Sequence, residues 1–99
     1  MEIIKTLDND TLTIALVGKL DSNSAPELEK ELEDSLNGIK TLIWEFKDLK
    51  YLSSAGLRIM LSSQKIMSKQ GQMILRHVND IIMETFDMTG FSSILTFED

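Results

Sequence analysis

The chain has 99 residues, which suits one domain, and we predict a single folding unit over 1–99. Hydrophobic residues make up 42% and charged residues 26%, as in ordinary globular proteins, and the lack of cysteine excludes disulfides, iron–sulfur clusters and thiol catalysis. The net charge is −6, and residues 21–34 alone hold six acids and one lysine, which argues against nucleic acid or an anionic membrane as the partner.

The first two predicted elements are strands, Glu2–Leu7 and Thr11–Val17, joined by the turn residues Asp8-Asn9-Asp10. The second strand carries Leu or Ile at every other position from Leu12 to Leu16. Alternate residues of a strand point to the same side of a sheet. The pattern therefore predicts a hairpin-like pair with one buried face.

A helix is predicted next, beginning near Ser24. Ser24 and Glu27 have the spacing of a capping box, and Pro26 suits the first helical turn. Apolar residues then recur at spacings of three and four as far as Leu36, and Asn37-Gly38 predicts the end of the helix.

The remaining elements alternate between strand and helix. Thr41–Phe46 is apolar on both faces apart from Glu45, which suits a strand covered by helices on both sides. The order ββαβαβαβ predicts an α/β fold, a mixed β-sheet flanked by helices. We further expect helices at Ala55–Lys69 and from Asn79 or Asp80 to Met88, strands at Gln72–Val78 and Ser93–Phe97, and core positions for Trp44, Met60, Met67, Met73, Met83 and Met88.

The most informative segment runs from Asp48 to Arg58 and reads DLKYLSSAGLR. It places two hydroxyls at a predicted helix start, where Ser53 or Ser54 can cap free amides. Gly56 permits close packing in the first turn. Because the helix dipole favours negative charge there, a phosphate on one of these serines would suit the fold.

This segment resembles the phosphorylation-site signature of STAS domains, the bacterial anti-sigma-factor antagonists. Gly18-Lys19-Leu20-Asp21 is similar to the family's G-x-L-D turn after the second strand. Residues 48–57 are similar to its D-L…S-S/T/A-G-L element, and residues 86–91 to its late L-F-x-x-x-G-L/F segment. The resemblance covers nearly the whole chain and implies a single STAS-like domain over 1–99.

The resemblance implies a phosphoacceptor and a partner surface. The acceptor is Ser54, two residues before the glycine of the G-L pair, and the partner surface comprises Asp21, Ser53, Ser54 and Gly56. Ser53 stands where the family usually has an acid, so modification of Ser53 instead remains open. The implied partners are an ATP-dependent anti-sigma serine kinase, bound until Ser54 is phosphorylated, and a metal-dependent serine phosphatase that reverses the modification.

Two other functions remain open. The first is a STAS module that binds a ligand or serves as a scaffold in a signalling complex without phosphorylation, which the departure at Ser53 motivates. The second is a small hydrolase, for which His77 is the only histidine base in the chain. We expect no catalysis, no cofactor and no metal in the chain itself. Residues 1–10 lack the layout of a signal peptide, so we expect the protein in the cytoplasm.

Overall fold

Strands and helices alternate along the chain, and the computed structural model describes all of residues 1–99. The α/β class is confirmed, although a short strand absent from the predicted order, β4, follows β3 closely. The strands are β1 (Glu2–Asp8), β2 (Thr11–Leu20), β3 (Thr41–Glu45), β4 (Leu49–Leu52), β5 (Gln72–Arg76) and β6 (Phe97–Glu98); the helices are α1 (Ala25–Leu32), α2 (Ser54–Met67) and α3 (Asp80–Thr89).

The six strands form one mixed sheet in the order β1-β2-β3-β5-β6, with β1 antiparallel to β2 and the other pairs parallel. Strand β2 is long because it pairs first with β3 and then, beyond a register shift at Gly18 and Lys19, with β4. Only residues 46–48 separate β3 from β4, so the two strands lie one after the other along the same edge of β2.

The core lies on one side of this sheet. Ile14, Trp44 and Leu75 are neighbours in register and fully buried, and they share one apolar cluster with the buried residues of all three helices. Ile43 points to the opposite side and is the one buried apolar residue outside that cluster. Its register neighbours on that side, Thr13 and Ile74, are only half-buried, so the expectation that helices cover β3 on both sides is wrong.

Helix α1 is shorter than predicted. It ends at Leu32, and turns occupy residues 33–38 up to the expected stop at Asn37-Gly38. Leu36 is nevertheless buried, as its place on the apolar stripe predicted. Acidic residues at the carboxyl end of a helix oppose its dipole, which accounts for the early end at Glu33 and Asp34.

The carboxyl-terminal third also differs in detail. The strand predicted at Ser93–Phe97 is instead a short 3-10 turn at Phe91–Ser93, and β6 pairs with β5 only through Phe97 and Glu98. Met88 is 80% exposed on α3, so its predicted core position is wrong. Trp44, Met60, Met67 and Met73 are buried as predicted, and Met83 is partly buried against the core. None of the helices is long and apolar enough to span a bilayer.

Candidate functional site

The start of α2 is fixed by its connection to the sheet. Leu52, the last residue of β4, pairs with Leu20 at the end of β2, and the Ser53 N–H donates to the Leu20 carbonyl at 2.9 Å. Ser53 is half-buried with an extended backbone, and its hydroxyl accepts from the Gly56 N–H at 3.5 Å. Of the two serines that suited the cap, Ser53 is thus the capping residue.

Ser54 is the first residue of α2 and is exposed, and its hydroxyl forms no hydrogen bond within the protein. The first turn of α2 contains no acidic residue, in contrast to α1 and α3, which carry Glu27 and Asp80 there. The positive end of the helix dipole is therefore left without a compensating charge beside an accessible hydroxyl.

Arg58 was not singled out from the sequence, although its place four residues after Ser54 was a usable signal. Residues four apart on a helix are neighbours on its surface. Arg58 is exposed and takes part in none of the three ion pairs of the structure, which join Lys5 to Glu31, Arg76 to Glu98 and His77 to Glu45. It adds an unpaired positive charge one turn from the Ser54 hydroxyl.

Gly56 has a steric role at the site. A Cβ atom at this position would lie 2.9 Å from Cγ and Cδ2 of Leu20 and 3.1 Å from Cγ of Leu52, closer than ordinary packing allows. The glycine therefore lets the first turn of α2 rest against the ends of β2 and β4. Gly56 is buried, so it is not available for direct contact and instead supports the turn that carries Ser54.

Asp21 follows Leu20 and uses one carboxylate oxygen to bind its own turn. Its Oδ1 accepts from the N–H groups of Asn23 and Ser24, each at 3.0 Å, and from the Ser24 hydroxyl at 3.2 Å. These bonds, first the one from the Ser24 N–H, hold the pKa of the Asp21 carboxyl below its ordinary value. Asp21 is therefore a fixed negative charge at neutral pH, with Oδ2 free of protein partners.

The capping box predicted at Ser24 and Glu27 is absent. Ser24 has helical backbone angles and its side chain makes no cap bond. Its hydroxyl instead shares its one hydrogen between the Lys19 carbonyl at 2.9 Å and Asp21 Oδ1 at 3.2 Å, and it accepts from the Asp21 N–H at 3.0 Å. Asp21 has taken the capping role because the chain already turns at residues 21–24, before α1 begins.

The parallel pairing of β2 and β4 brings the predicted residues together. Leu20 and Leu52 are register partners, so Asp21 and Ser53 leave the sheet side by side at its carboxyl edge, the usual location of binding sites in such sheets. Ser54 follows directly, and Gly56 lies beneath. We call Asp21, Ser53 and Ser54 the α2 rim.

His77 lies apart from the α2 rim. The strand predicted at Gln72–Val78 ends at Arg76, and His77 follows it with a φ of 55°. Its Nδ1 is 2.8 Å from Oε2 of Glu45, level with the end of β3, whereas Ser53 follows β4 further along the sheet edge. No histidine base is therefore hydrogen-bonded to either serine. No group of three or more His, Asp or Glu side chains is arranged to hold a metal ion.

Comparison with known proteins identifies the family of the chain. The STAS domain family model matches residues 2–99. BtrV of Bordetella bronchiseptica is 34% identical over 93 residues, which cover 90% of this chain and 80% of BtrV. The anti-sigma-B factor antagonist of Bacillus subtilis is 29% identical over 93 residues, which cover 93% of this chain and 84% of that protein.

The solved structures of SpoIIAA, an anti-sigma factor antagonist of Bacillus, share the fold. The unphosphorylated form superposes with a TM-score of 0.78 at 19% identity, covering 99% of this chain and 88% of SpoIIAA. The phosphorylated form gives a TM-score of 0.77 at 19% identity, covering 99% and 92% respectively. The fold described above is thus equally similar to both forms.

Proposed function

The chain belongs to the STAS domain family, and we propose that it is an anti-sigma factor antagonist switched by phosphorylation of Ser54. The unphosphorylated protein binds an anti-sigma serine kinase through the α2 rim, and phosphorylation releases it. The observation that carries this proposal is the exposed, unbonded Ser54 hydroxyl at the start of α2, beside the ionised Asp21. The Bacillus subtilis relative, named an anti-sigma-B factor antagonist, supports the same role.

Ser54 is a better acceptor than Ser53. Ser53 is half-buried and its hydroxyl is engaged in capping α2, so it is less accessible to a kinase than Ser54. The Ser54 hydroxyl is exposed and engaged in no bond that the transfer would break. In the reaction, Ser54 Oγ attacks the γ-phosphorus of ATP in the kinase, ADP leaves, and the hydroxyl proton passes to a base of the kinase.

The switch acts on the partner rather than on the fold. A phosphoserine carries about −1.5 to −2 charges, which the amino end of α2 and Arg58 accommodate. A partner carboxylate about 6 Å away, at an effective dielectric near 20, is repelled by about 3 kcal/mol per unit charge. For one unit of charge that is about a hundredfold in affinity, so a phosphoserine weakens binding by at least this factor. The similarity of this fold to both forms of SpoIIAA is consistent with a switch that needs no refolding.

The cycle is completed by a metal-dependent serine phosphatase that hydrolyses the phosphoserine and restores kinase binding. Because the proposed partner uses ATP, we propose that the protein acts in the cytoplasm. The chain itself contributes no catalytic group to either reaction. Its relatives are regulatory proteins, and its one histidine contacts Glu45 rather than a serine.

The test is phosphate mapping by mass spectrometry after incubation with the cognate kinase and ATP. We expect phosphate on Ser54 of the wild type and none on a Ser54→Ala variant, with Ser53→Ala as the matched control that is still phosphorylated. Phosphate on neither serine would contradict the proposal and favour the ligand-binding or scaffold function.

Binding to the kinase provides the second measurement. Ser54→Ala should bind as the wild type does, whereas Ser54→Asp should bind more weakly, by up to about a hundredfold for its single unit of charge, which is less than a phosphate carries. Equal affinities for the three proteins would show that charge at Ser54 does not control the complex.

A further inference from the structure

A groove lies between α1, the turn that follows it and the middle of α2, and it includes no residue of the α2 rim. Its apolar floor is formed by Leu32, Leu36, Ile59 and Ile66, and its cavity volume is about 180 Å³. Ile66 is 46% exposed although it lies among apolar neighbours. The floor thus presents apolar surface to solvent that a bound side chain would cover.

Two carboxylates on α1, those of Glu29 and Glu33, border this floor. Both residues are exposed, and neither belongs to the ion pairs of the structure. Like charges one turn apart destabilise a helix, and Glu33 also lies at the carboxyl end of α1, where the dipole disfavours an acid. The stability of α1 therefore does not account for this pair.

Ser63 is a separate indication that the groove takes a ligand. It is 2% exposed, the only buried polar residue of the chain, and it lines the groove. Its hydroxyl forms no hydrogen bond within the protein, whereas the adjacent Ser62 hydroxyl donates to the Ile59 carbonyl at 3.1 Å. The only fully enclosed side-chain polar atom without a partner is Gln64 Oε1, so the unbonded Ser63 hydroxyl reaches the groove, where a bound molecule can pair with it.

We propose that this groove binds a basic amphipathic segment of a partner protein. An apolar side chain of the segment covers the floor, a Lys or Arg side chain contacts Glu29 and Glu33, and a polar group of the segment hydrogen-bonds the Ser63 hydroxyl. The negative charges of Glu29 and Glu33 favour a basic occupant over an acidic or purely apolar one. Binding in the groove requires no phosphorylation and is therefore independent of the proposed switch at Ser54.

The test uses a synthetic amphipathic peptide of Leu and Lys, about four helical turns long, and a matched peptide in which Glu replaces every Lys. Binding to the ¹⁵N-labelled protein is followed by NMR at about 0.15 M salt, which weakens purely long-range attraction. We expect the Lys peptide to shift the amide signals of α1 and α2 that face the groove and the Glu peptide to bind at least tenfold more weakly. Equal binding of the two peptides, or shifts confined to another surface, would overturn the proposal.

Variants separate the groove from the overall negative charge of the protein. The double variant Glu29→Gln/Glu33→Gln should weaken peptide binding about five- to tenfold, the value expected for two exposed ion pairs. The control Glu84→Gln/Asp87→Asn removes the same charge from the exposed surface of α3 and should change binding less than about twofold. Similar losses in both variants would mean that the peptide reads only net charge.

Ser63→Ala tests the hydroxyl without breaking a bond in the protein. Its folding stability should match or exceed that of the wild type, and its affinity for the peptide should fall about fivefold. Unchanged affinity would overturn the part assigned to Ser63.

Discussion

Replacing Ser54 with aspartate is expected to stabilise the folded protein, although it adds negative charge to an acidic chain. Ser54 is the first residue of α2, the first turn has no acid, and Arg58 is unpaired one turn later. A carboxylate near a helix amino end contributes about 0.3–1 kcal/mol, and an ion pair four residues apart adds about 0.3–0.5 kcal/mol. Repulsion from Asp21 at the same edge offsets part of this. We expect a net gain of about 0.5 kcal/mol, or a rise in Tm of about 2–4 °C.

The assay is thermal unfolding followed by circular dichroism at low and high salt. Ser68→Asp is the matched control, because Ser68 is exposed at the carboxyl end of the same helix and an acid there opposes the dipole. The control should lower Tm by a similar amount, and salt at about 1 M should reduce both effects. A lower Tm for Ser54→Asp, or a change of the same sign in both variants, would refute the reasoning that this helix end accommodates a phosphate.

Three further predictions concern the supports of the α2 rim, and urea denaturation measures each. Gly56→Ala should destabilise the protein by about 1–3 kcal/mol, because the new Cβ collides with Leu20, and an unchanged midpoint would contradict this close contact. Asn79→Ala should cost about 1–2 kcal/mol, since Asn79 caps α3 and donates to the Leu49 carbonyl at 3.0 Å, and a neutral result would show that neither bond matters. Asp21→Asn keeps the hydrogen-bond acceptor and removes the charge. Because folding lowers the pKa of Asp21, its ionised carboxylate stabilises the folded protein at pH values above the ordinary value of 3.8. This stabilisation is lost as the pH falls through the pKa of the folded protein, so the difference in unfolding free energy between wild type and variant should shrink in acid. A difference that stays constant with pH would contradict this.

The core was predictable because burial follows a local rule. The alternation from Leu12 to Leu16 places those side chains on one side of β2, and the structure buries all of them. Helix α2 was likewise predicted at Ala55–Lys69 and observed at Ser54–Met67, since its apolar positions recur with helical spacing.

Features that depend on distant parts of the chain were not predictable in the same way. Strand β4 has only four residues, with its buried positions at the two ends, Leu49 and Leu52, so alternation gives no signal. Its existence depends on pairing with β2 beyond the irregularity at Gly18 and Lys19. Whether helices cover one face of β3 or both depends on where the connections between elements run. The apolar run at Thr41–Phe46 does not indicate this.

The α2 rim was predicted in its members but not in their roles. Ser53 and Ser54 are adjacent and chemically alike, and only the backbone angles of the β4–α2 connection make one the cap and leave the other exposed. Asp21 and Ser24 are likewise both able to cap a turn, and they lie three residues apart. The conformation of the turn after β2 makes Asp21 the acceptor and directs the Ser24 hydroxyl to the Lys19 carbonyl. The groove carried no signal in the sequence, because Glu33 and Ser63 come together only when α1 packs on α2.

The central claim is that phosphate on Ser54 changes binding and leaves the fold as it is. The most direct measurement is the affinity of the cognate kinase for the protein phosphorylated on Ser54 and for the unmodified protein, with an NMR amide spectrum of each. We predict at least about a hundredfold loss of affinity, with amide shifts confined to the first turn of α2 and the neighbourhood of Asp21. Unchanged affinity, or shifts spread through the sheet and α3, would contradict the claim.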